Sequence, residues 1–376
     1  MDITKFVSFL EGNNINFFTG VPDSLLNPFN SYLMKQYGIS NKHIITANEG
    51  NAVALAAGYH LSTGKIPCVY LQNSGLGNII NPVTSLLNDQ VYGIPCVFVM
   101  GWRGEPGVHD EPQHKFQGEI TITMLESLDI TYMILDKDTT DKELEDNLST
   151  FINLLASGKS VAFVVKKGGL SYSEKVTYKN DNPTLREDII RAITDVANED
   201  IIVSTTGKTS RELFEIREQN GQSHKYDFLT VGSMGHSSSI ALGVALNKPN
   251  KRVWCIDGDG AALMHMGVMA VIGEKSPANY IHVIINNGSH ESVGGQPTVA
   301  NSINLQQIAI GCGYQATYSA SNLDELDSVL SLLDGKQGPI FIEVKSAIGS
   351  REDLGRPTNT PIENKKAFMN FLLECN

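Results

Sequence analysis

The sequence predicts an α/β protein built from two doubly wound domains with parallel sheets. Short apolar runs alternate with helical patterns along all 376 residues, which is typical of parallel α/β architecture. Six strand-like runs come before one polar stretch and six come after it. In both halves Gly, Asn and acidic residues follow the ends of these runs, which is where open parallel sheets bind their ligands.

The first half contains six predicted strands and several amphipathic helices. Residues 51–62, with an Ala-rich face, and residues 142–156 are two of the helices. The strands are expected at 16–19, 43–46, 67–71, 95–100, 131–135 and 161–165.

A polar stretch, SYSEKVTYKNDN, runs from Ser171 to Asn182 and leads to Pro183, which predicts a linker. We therefore expect a first domain at 1–170, a linker at 171–183 and a second domain at 184–376. The strands of the second domain are expected at 201–204, 227–231, 253–256, 281–285, 316–319 and 340–344.

Composition and charge exclude several classes of function. The net charge is −12 and no run of Lys or Arg interrupts it, which disfavours nucleic acid and anionic membranes as partners. No stretch reaches the eighteen or so apolar residues of a membrane span, and the charged start lacks the apolar core of a signal peptide. The five cysteines are odd in number and have no CxxC spacing, so we expect reduced, largely buried thiols. We expect a soluble, cytoplasmic protein.

The most specific motif lies in the second half. The run 253–256 leads into Asp257-Gly258-Asp259-Gly260, and the run 281–285 ends at Asn286-Asn287. The glycines let backbone N–H groups approach a phosphate closely, and Asp259 and an Asn carbonyl are hard oxygen ligands. The pattern predicts a Mg²⁺ and diphosphate site, and two ordinary βα turns are the alternative.

Three motifs of the first half carry candidate chemistry. Glu49 follows a strand and opens a helix, either as a reactive acid or as an ordinary charge at a helix start. Ser74 lies in a small-residue segment, 73–78, that could line a pocket or form a plain turn. In the long loop 102–114, His109 and His114 are candidate proton donors and Arg103 is a candidate anion clamp. A zinc site from these histidines and acids is a weaker alternative, since the spacing suggests no third ligand.

The segment 204–211, STTGKTSR, joins a strand to a helix in the second half. Its hydroxyls suit diphosphate or phosphonate oxygens, and Lys208 and Arg211 supply positive charge. An ordinary capped helix with solvated Lys and Arg is the alternative.

These motifs, in this order, resemble those of the thiamine diphosphate-dependent decarboxylases over nearly the whole chain. Asn48-Glu49-Gly50-Asn51-Ala52 matches the N-E-x-N-A context of the family's essential Glu. The resemblance implies that Glu49 hydrogen-bonds ring nitrogen N1′ of the cofactor, that Gly232 accepts from its amino group, and that Met234 bends it. The metal ligands implied are Asp259, Asn287 and the backbone carbonyl of Ser289. The remaining cofactor-binding residues would be Thr206, Gly207, Gly258, Gly260 and Ala261.

Two departures from the longer family members are informative. There is no middle domain, and His109 and His114 are spaced apart where those members have adjacent histidines. Four segments resemble the compact phosphonopyruvate decarboxylases most, and the sulfopyruvate decarboxylases, often divided into two subunits, next. They are VPDSLL at 21–26, DEPQH at 110–114, TGKTSREL at 206–213 and NNGSHESVGGQPT at 286–298.

This resemblance implies non-oxidative decarboxylation of 3-phosphonopyruvate to phosphonoacetaldehyde and CO2, in phosphonate biosynthesis of the 2-aminoethylphosphonate type. Glu49 and Asp259 belong to different subunits in the family, so at least a homodimer is implied. Lys208 is the favoured phosphonate-binding cation. The candidate substrate-binding residues are Asp23, Ser24, Ser74, Arg103, Lys208, Arg211 and His290.

A non-enzymatic regulatory subunit is the alternative class. Such relics tend to lose the essential Glu or the metal-binding Asp, and this chain retains Glu49 and Asp259.

Overall fold

The computed structural model describes residues 1–174 and 176–375. The chain divides into two compact units, one of Met1–Thr177 with Val293–Gln296 and one of Tyr178–Ser292 with Pro297–Asn376. Within the predicted linker, Lys175 lies outside the described residues, and the other residues form no helix. The boundaries 1–170, 171–183 and 184–376 stay a prediction.

The first unit contains a six-stranded parallel sheet with the order β2-β1-β3-β4-β6-β5. Its strands are β1 Phe18–Gly20, β2 His43–Ile45, β3 Cys68–Gln72, β4 Val97–Gly101, β5 Thr131–Leu135 and β6 Val161–Val165. Its helices are α1 Ile3–Gly12, α2 Asn27–Tyr37, α3 Glu49–Thr63, α4 Leu76–Pro82, α5 Pro112–Ser127 and α6 Asp141–Ala156.

The central strands of this sheet are buried on both faces, which explains their continuous apolar runs. One apolar cluster packs α1, α2 and α6 on one face, and another packs α3, α4 and α5 on the other. Three of the four alanines of α3, Ala52, Ala56 and Ala57, are buried, so this face of the helix lies close to the sheet.

The second unit contains another six-stranded parallel sheet, with the order β11-β12-β10-β9-β7-β8. Its strands are β7 Ile201–Ser204, β8 Asp227–Leu229, β9 Val253–Gly258, β10 Tyr280–Asn286, β11 Ala316–Ala320 and β12 Ile340–Lys345. Its helices are α7 Arg186–Ala197, α8 Lys208–Gln219, α9 Ser237–Asn247, α10 Asp259–Met264, α11 Val268–Lys275, α12 Leu305–Cys312, α13 Leu323–Ser331 and α14 Pro361–Glu374.

Each predicted strand overlaps an observed one, so the predicted doubly wound α/β architecture is confirmed. The strand predicted at 16–19 begins two residues later, at Phe18. The strand predicted at 253–256 continues to Gly258, so α10 begins directly at Asp259. This continuation places the Asp259 carboxylate at the end of the sheet.

In both sheets the chain order reverses between the first and third strands of the unit, namely β1 and β3 in the first and β7 and β9 in the second. Ligands of open parallel sheets bind beside such a reversal, at the carboxyl ends of the strands. The residues that follow β1, β3, β7 and β9 are therefore the first place to look for a site in each unit.

Two further features concern the cysteines and the length of the helices. All five cysteines are free thiols, and Cys68, Cys96 and Cys255 are buried in strands or beside them. Across residues 1–174 and 176–375, no helix is long and apolar enough to cross a membrane.

Candidate active site

In the first unit, Glu49 lies at the start of α3, directly after β2. The Asn48 side chain caps this helix by accepting from the Gly50 backbone N–H at 2.7 Å. Nδ2 of Asn78 donates to Oε2 of Glu49 at 2.7 Å. A Cβ at position 75 would lie 2.6 Å from Oε1, so Gly75 is needed to leave room for the carboxyl group.

Burial raises the pKa of Glu49, although the hydrogen bond from Asn78 acts in the opposite direction. The side chain is 6% exposed, so it is poorly placed to serve as a solvated charge at a helix start. Its surroundings suit a carboxylic acid that carries a proton at higher pH than an exposed Glu would.

Asp23, Gln72 and Ser74 form a chain of hydrogen bonds beyond β1 and β3. Gln72 donates from Nε2 to Oδ1 of Asp23 at 2.5 Å and accepts at Oε1 from the Ser74 hydroxyl at 2.7 Å. The other Asp23 oxygen accepts two backbone N–H groups, from Leu25 and Leu26. Burial raises the pKa of Asp23. The structure thus brings two predicted substrate-binding residues together through Gln72, which the sequence interpretation missed.

Arg103 is held by Asp110 of the same loop. Its Nε and Nη2 donate to the two carboxylate oxygens at 2.8 and 2.5 Å, and its Nη1 donates to the Ser24 hydroxyl at 3.2 Å. Burial opposes ionisation of Asp110, but the hydrogen bonds from Arg103 and nearby backbone N–H groups hold its pKa well below the usual range. The positive charge of Arg103 therefore has an anionic partner already.

The two loop histidines differ in environment. His109 is exposed, whereas His114 is buried in the first turn of α5, and burial lowers its pKa. Among the residues that the structure describes, Nδ1 of His114 has no hydrogen-bond partner. Within the part of the chain that the structure describes, the loop assembles no group of three metal-ligating side chains, so the zinc alternative gains no support. The group that does meet this description is buried in the second unit and consists of Cys255, Asp257 and His282.

In the second unit, the turn after β7 contacts the turn after β8. The Thr206 hydroxyl accepts from the Gly232 backbone N–H at 3.0 Å. Gly207 has φ of 91° and a Cβ there would meet nothing within 4 Å, so backbone conformation rather than space favours glycine. Met234 is half-buried two residues beyond Gly232.

Lys208 and Arg211 of α8 have different partners. The Lys208 ammonium is 2.7 Å from Oε1 of Glu291. For Arg211, no ion pair is found among residues 1–174 and 176–375. The preference for Lys208 as the phosphonate-binding cation is weakened, because its charge is already balanced.

Asp259 is a buried carboxylate at the end of β9. Oδ2 accepts from the Thr298 hydroxyl at 2.5 Å, and the Thr298 backbone N–H donates to the Gly288 carbonyl at 3.0 Å. Asp259 is 3% exposed, and burial raises its pKa to about 6. Lys345 is near enough to lower this pKa slightly, but its ammonium pairs with Glu343, and no salt bridge to Asp259 is found among the described residues. A buried carboxylate without a direct salt bridge fits a ligand of a divalent cation.

The glycines on either side of Asp259 differ. A Cβ at Gly258 would meet nothing within 4 Å, so open space lies there for a ligand to approach the backbone. A Cβ at Gly260 would lie 3.2 Å from Nδ1 of His290, so this glycine brings the two segments together. His290 is buried, and burial lowers its pKa to about 4. Ala261, the next residue of α10, is also buried.

Asn287 follows β10 beside this group. Its Oδ1 accepts from the Ser289 backbone N–H at 3.0 Å, and its Nδ2 donates to Oε2 of Glu291 at 2.8 Å. Thr298 links the Asp259 side chain to this segment, so one carboxylate and one amide oxygen lie at neighbouring strand ends. Together with the Ser289 carbonyl they would offer hard oxygen donors of the kind Mg²⁺ prefers.

Comparisons with known protein families match both units to domains of one enzyme family. The "Thiamine pyrophosphate enzyme, N-terminal TPP binding domain" matches residues 4–125, and the "Thiamine pyrophosphate enzyme, C-terminal TPP binding domain" matches residues 205–344.

Three curated relatives align over most of the chain. The phosphonopyruvate decarboxylase of Streptomyces viridochromogenes is 33% identical over 97% of this chain and 94% of its own length. That of Streptomyces hygroscopicus is 34% identical over 97% of this chain and 92% of its own length. The sulfopyruvate decarboxylase of Methanosarcina acetivorans is 30% identical over 86% of each.

Proposed function

Because the chain belongs to the thiamine pyrophosphate enzyme family, we propose that it catalyses the non-oxidative decarboxylation of 3-phosphonopyruvate to phosphonoacetaldehyde and CO2. The observation that carries this proposal is the similarity to two phosphonopyruvate decarboxylases over 97% of the chain. The buried acid Glu49 and the buried carboxylate Asp259, one in each unit, support it.

Thiamine diphosphate is the cofactor that the two matched domains bind, and Mg²⁺ is our proposal for the metal. When bound, thiamine diphosphate supplies a nucleophilic carbon and an acceptor for the electron pair that CO2 leaves behind. Asp259, Asn287 and the Ser289 carbonyl would hold Mg²⁺. The cofactor itself would be held by Glu49, Thr206, Gly207, Gly232, Met234, Gly258, Gly260 and Ala261.

Glu49 would act as the acid that protonates N1′ of the cofactor. Oε2 already accepts from Asn78 at 2.7 Å, so we assign the donated proton to Oε1. The raised pKa of Glu49 favours the protonated form that this role requires. Asn78 therefore orients the carboxyl group.

The phosphonate needs positive charge in a chain that carries −12 overall. Lys208 is paired with Glu291 and Arg103 with Asp110, whereas Arg211 has no ion pair among the described residues. We propose that Arg211 contributes most to phosphonate binding and that Arg103, with Ser24, has a secondary role. His109 and His114 remain candidate proton donors, and Asp23, Ser74 and His290 remain candidate substrate contacts.

The test is aldehyde and CO2 release from phosphonopyruvate, sulfopyruvate and pyruvate, each with thiamine diphosphate and Mg²⁺. We expect the highest kcat/KM with phosphonopyruvate. A higher value with sulfopyruvate would support the second candidate, which the Methanosarcina relative favours. No turnover of any substrate would support the regulatory-subunit alternative instead.

We also propose at least a homodimer, in which one subunit supplies Glu49 and another supplies Asp259 to each active site. Mixing Glu49→Gln and Asp259→Ala chains tests this directly. A hybrid dimer would contain one site with both residues intact, so activity should appear that neither variant has alone. If each site used residues of a single chain, mixing would restore nothing.

A further inference from the structure

Glu291 lies at the centre of a network that the sequence motifs did not indicate. Its Oε2 accepts from Nη1 of Arg186 and from Nδ2 of Asn287, both at 2.8 Å. Its Oε1 accepts from the Lys208 ammonium at 2.7 Å. The carboxylate side chain is 9% exposed, so its charge is balanced by these neighbours rather than by water.

The anchor of the network is Arg186 at the start of α7. Its Nε and Nη2 form a two-pronged pair with both oxygens of Glu212, at 2.6 and 2.8 Å. This geometry fixes the guanidinium plane and leaves Nη1 to point at Glu291. Arg186 and Glu212 are both buried, so the anchor has little freedom to move. Glu291 is thereby held in one place.

The fixed carboxylate determines which way the Asn287 amide faces. A carboxylate accepts hydrogen bonds only, so Nδ2 must face Glu291 and Oδ1 must face away. A flipped amide would place its oxygen against a carboxylate oxygen and lose the Ser289 N–H contact at Oδ1. That contact uses one lone pair of Oδ1 and leaves another for a cation.

We propose that Glu291 is the positioning residue of the metal site: it orients the Asn287 amide so that Oδ1 binds the cation held by Asp259 and Ser289. Arg186 positions Glu291 in turn, and Lys208 balances its charge. The inference rests on the metal and cofactor part of the proposed function.

The chain contains a matched control one residue earlier. Nδ2 of Asn286 donates to Oε1 of Glu343 at 2.7 Å, and its Oδ1 accepts from the Gly288 backbone N–H at 2.9 Å. Glu343 is also paired with a lysine, Lys345, at 2.6 Å. Glu343 therefore repeats the amide and lysine contacts of Glu291, without the arginine, around an amide that is not assigned to the metal.

The experiment separates orientation from charge with two conservative variants. Glu291→Gln keeps the length and an acceptor oxygen for Asn287 but removes the charge. Glu291→Asp keeps the charge, but its side chain is one methylene too short to reach Nδ2 of Asn287. Glu343→Asp is the control. For each chain we would titrate Mg²⁺ calorimetrically in excess thiamine diphosphate and measure thermal unfolding without either ligand.

We expect Glu291→Asp to weaken Mg²⁺ binding by about 10- to 100-fold, as is common when a contact behind a metal ligand is lost. Glu291→Gln should stay within about threefold of the unsubstituted chain, as should Glu343→Asp. The free energy of unfolding without ligand should change less than the free energy of Mg²⁺ binding. The reason is that the hydrogen bond from Asn287 to Glu291 is proposed to act on the bound cation.

Three results would overturn the inference. If Glu291→Gln weakened binding as much as Glu291→Asp, the charge of Glu291 and not its hydrogen bond would be responsible. If Glu343→Asp had the same effect as Glu291→Asp, a general loosening of the segment would explain both. Unchanged Mg²⁺ affinity in Glu291→Asp would show that Glu291 does not position Asn287 for the metal. Failure of the unsubstituted chain to bind Mg²⁺ would instead contradict the proposed function.

Discussion

The two units have the same strand order but use it for different chemistry. Counted within each unit, both sheets read 2-1-3-4-6-5, and all strands are parallel. After the second strand the first unit has Glu49, and the second unit has the turn with Gly232 and Met234. After the third strand the first unit has Asn73, Ser74 and Gly75, and the second unit has Asp259.

The carboxylates at these positions differ in their neighbours. Glu49 receives an amide N–H from Asn78, and Asp259 receives a hydroxyl from Thr298 and lies beside the amide-rich segment after β10. Burial raises the pKa of both, yet one suits a proton donor and the other a metal ligand. The shared topology thus fixes where a site forms, and the side chains from neighbouring segments decide what the site does.

The largest expected effect is that of Asp259→Ala in the second unit. Removing the carboxylate leaves the cofactor diphosphate without its bridging cation, so Mg²⁺-dependent binding of thiamine diphosphate should be lost. Calorimetric titration measures this. Unchanged cofactor affinity in Mg²⁺ would contradict the assignment of this carboxylate and the contrast with Glu49.

Glu49→Gln should affect the first unit in a different way. The fold and cofactor binding should persist, but an amide cannot deliver a proton to N1′, so turnover should fall on the order of 10²-fold or more. Exchange of the C2 proton of bound cofactor, followed by NMR, is the direct measurement. An exchange rate equal to that of the unsubstituted chain would show that Glu49 has another role.

The cations of α8 test whether the second unit also recognises the phosphonate. Arg211→Met should lower kcat/KM for phosphonopyruvate roughly ten- to a hundredfold, because a charge-assisted contact contributes about 1.5–3 kcal/mol. Pyruvate, with a methyl group there, should lose much less. Lys208→Met should have the smaller effect on both substrates, because Glu291 already balances its charge. A larger loss in Lys208→Met than in Arg211→Met would indicate that Lys208 is the main phosphonate-binding cation.

A stability measurement sharpens the contrast between the carboxylates. The pKa of Asp259 is raised from 3.8 to about 6, so in the ligand-free chain the protonated form stabilises the fold below about pH 4. That stabilisation is lost as pH rises through 6. Asp259→Asn, which stays neutral, should therefore be more stable than the ligand-free parent at pH 7, by at most about 3 kcal/mol.

The gain should become small at pH 4, where Asp259 is protonated in the folded chain and about half ionised in the unfolded chain. Thermal unfolding at the two pH values, without cofactor or Mg²⁺, measures it. An equal gain at both pH values would mean that packing, not charge burial, sets the stability here.

The sequence by itself determined the architecture and the positions of the principal site residues. Buried parallel strands need apolar residues on both faces, so the runs of the central strands were visible without any tertiary information. Glu49, Asp259 and Asn287 were visible because polar side chains follow such runs only where the chain turns at the edge of the sheet. Family resemblance then supplied their expected roles.

The tertiary structure alone decided the partners of these residues. Asn78 meets Glu49 across 29 residues, Lys208 meets Glu291 across 83, and Arg186 meets Glu291 across 105. No periodicity relates such distant positions, because their contact depends on how separate helices and turns pack around the sheet. For this reason Lys208 looked like a free cation in the sequence, and the structure instead pairs it with the carboxylate that orients Asn287.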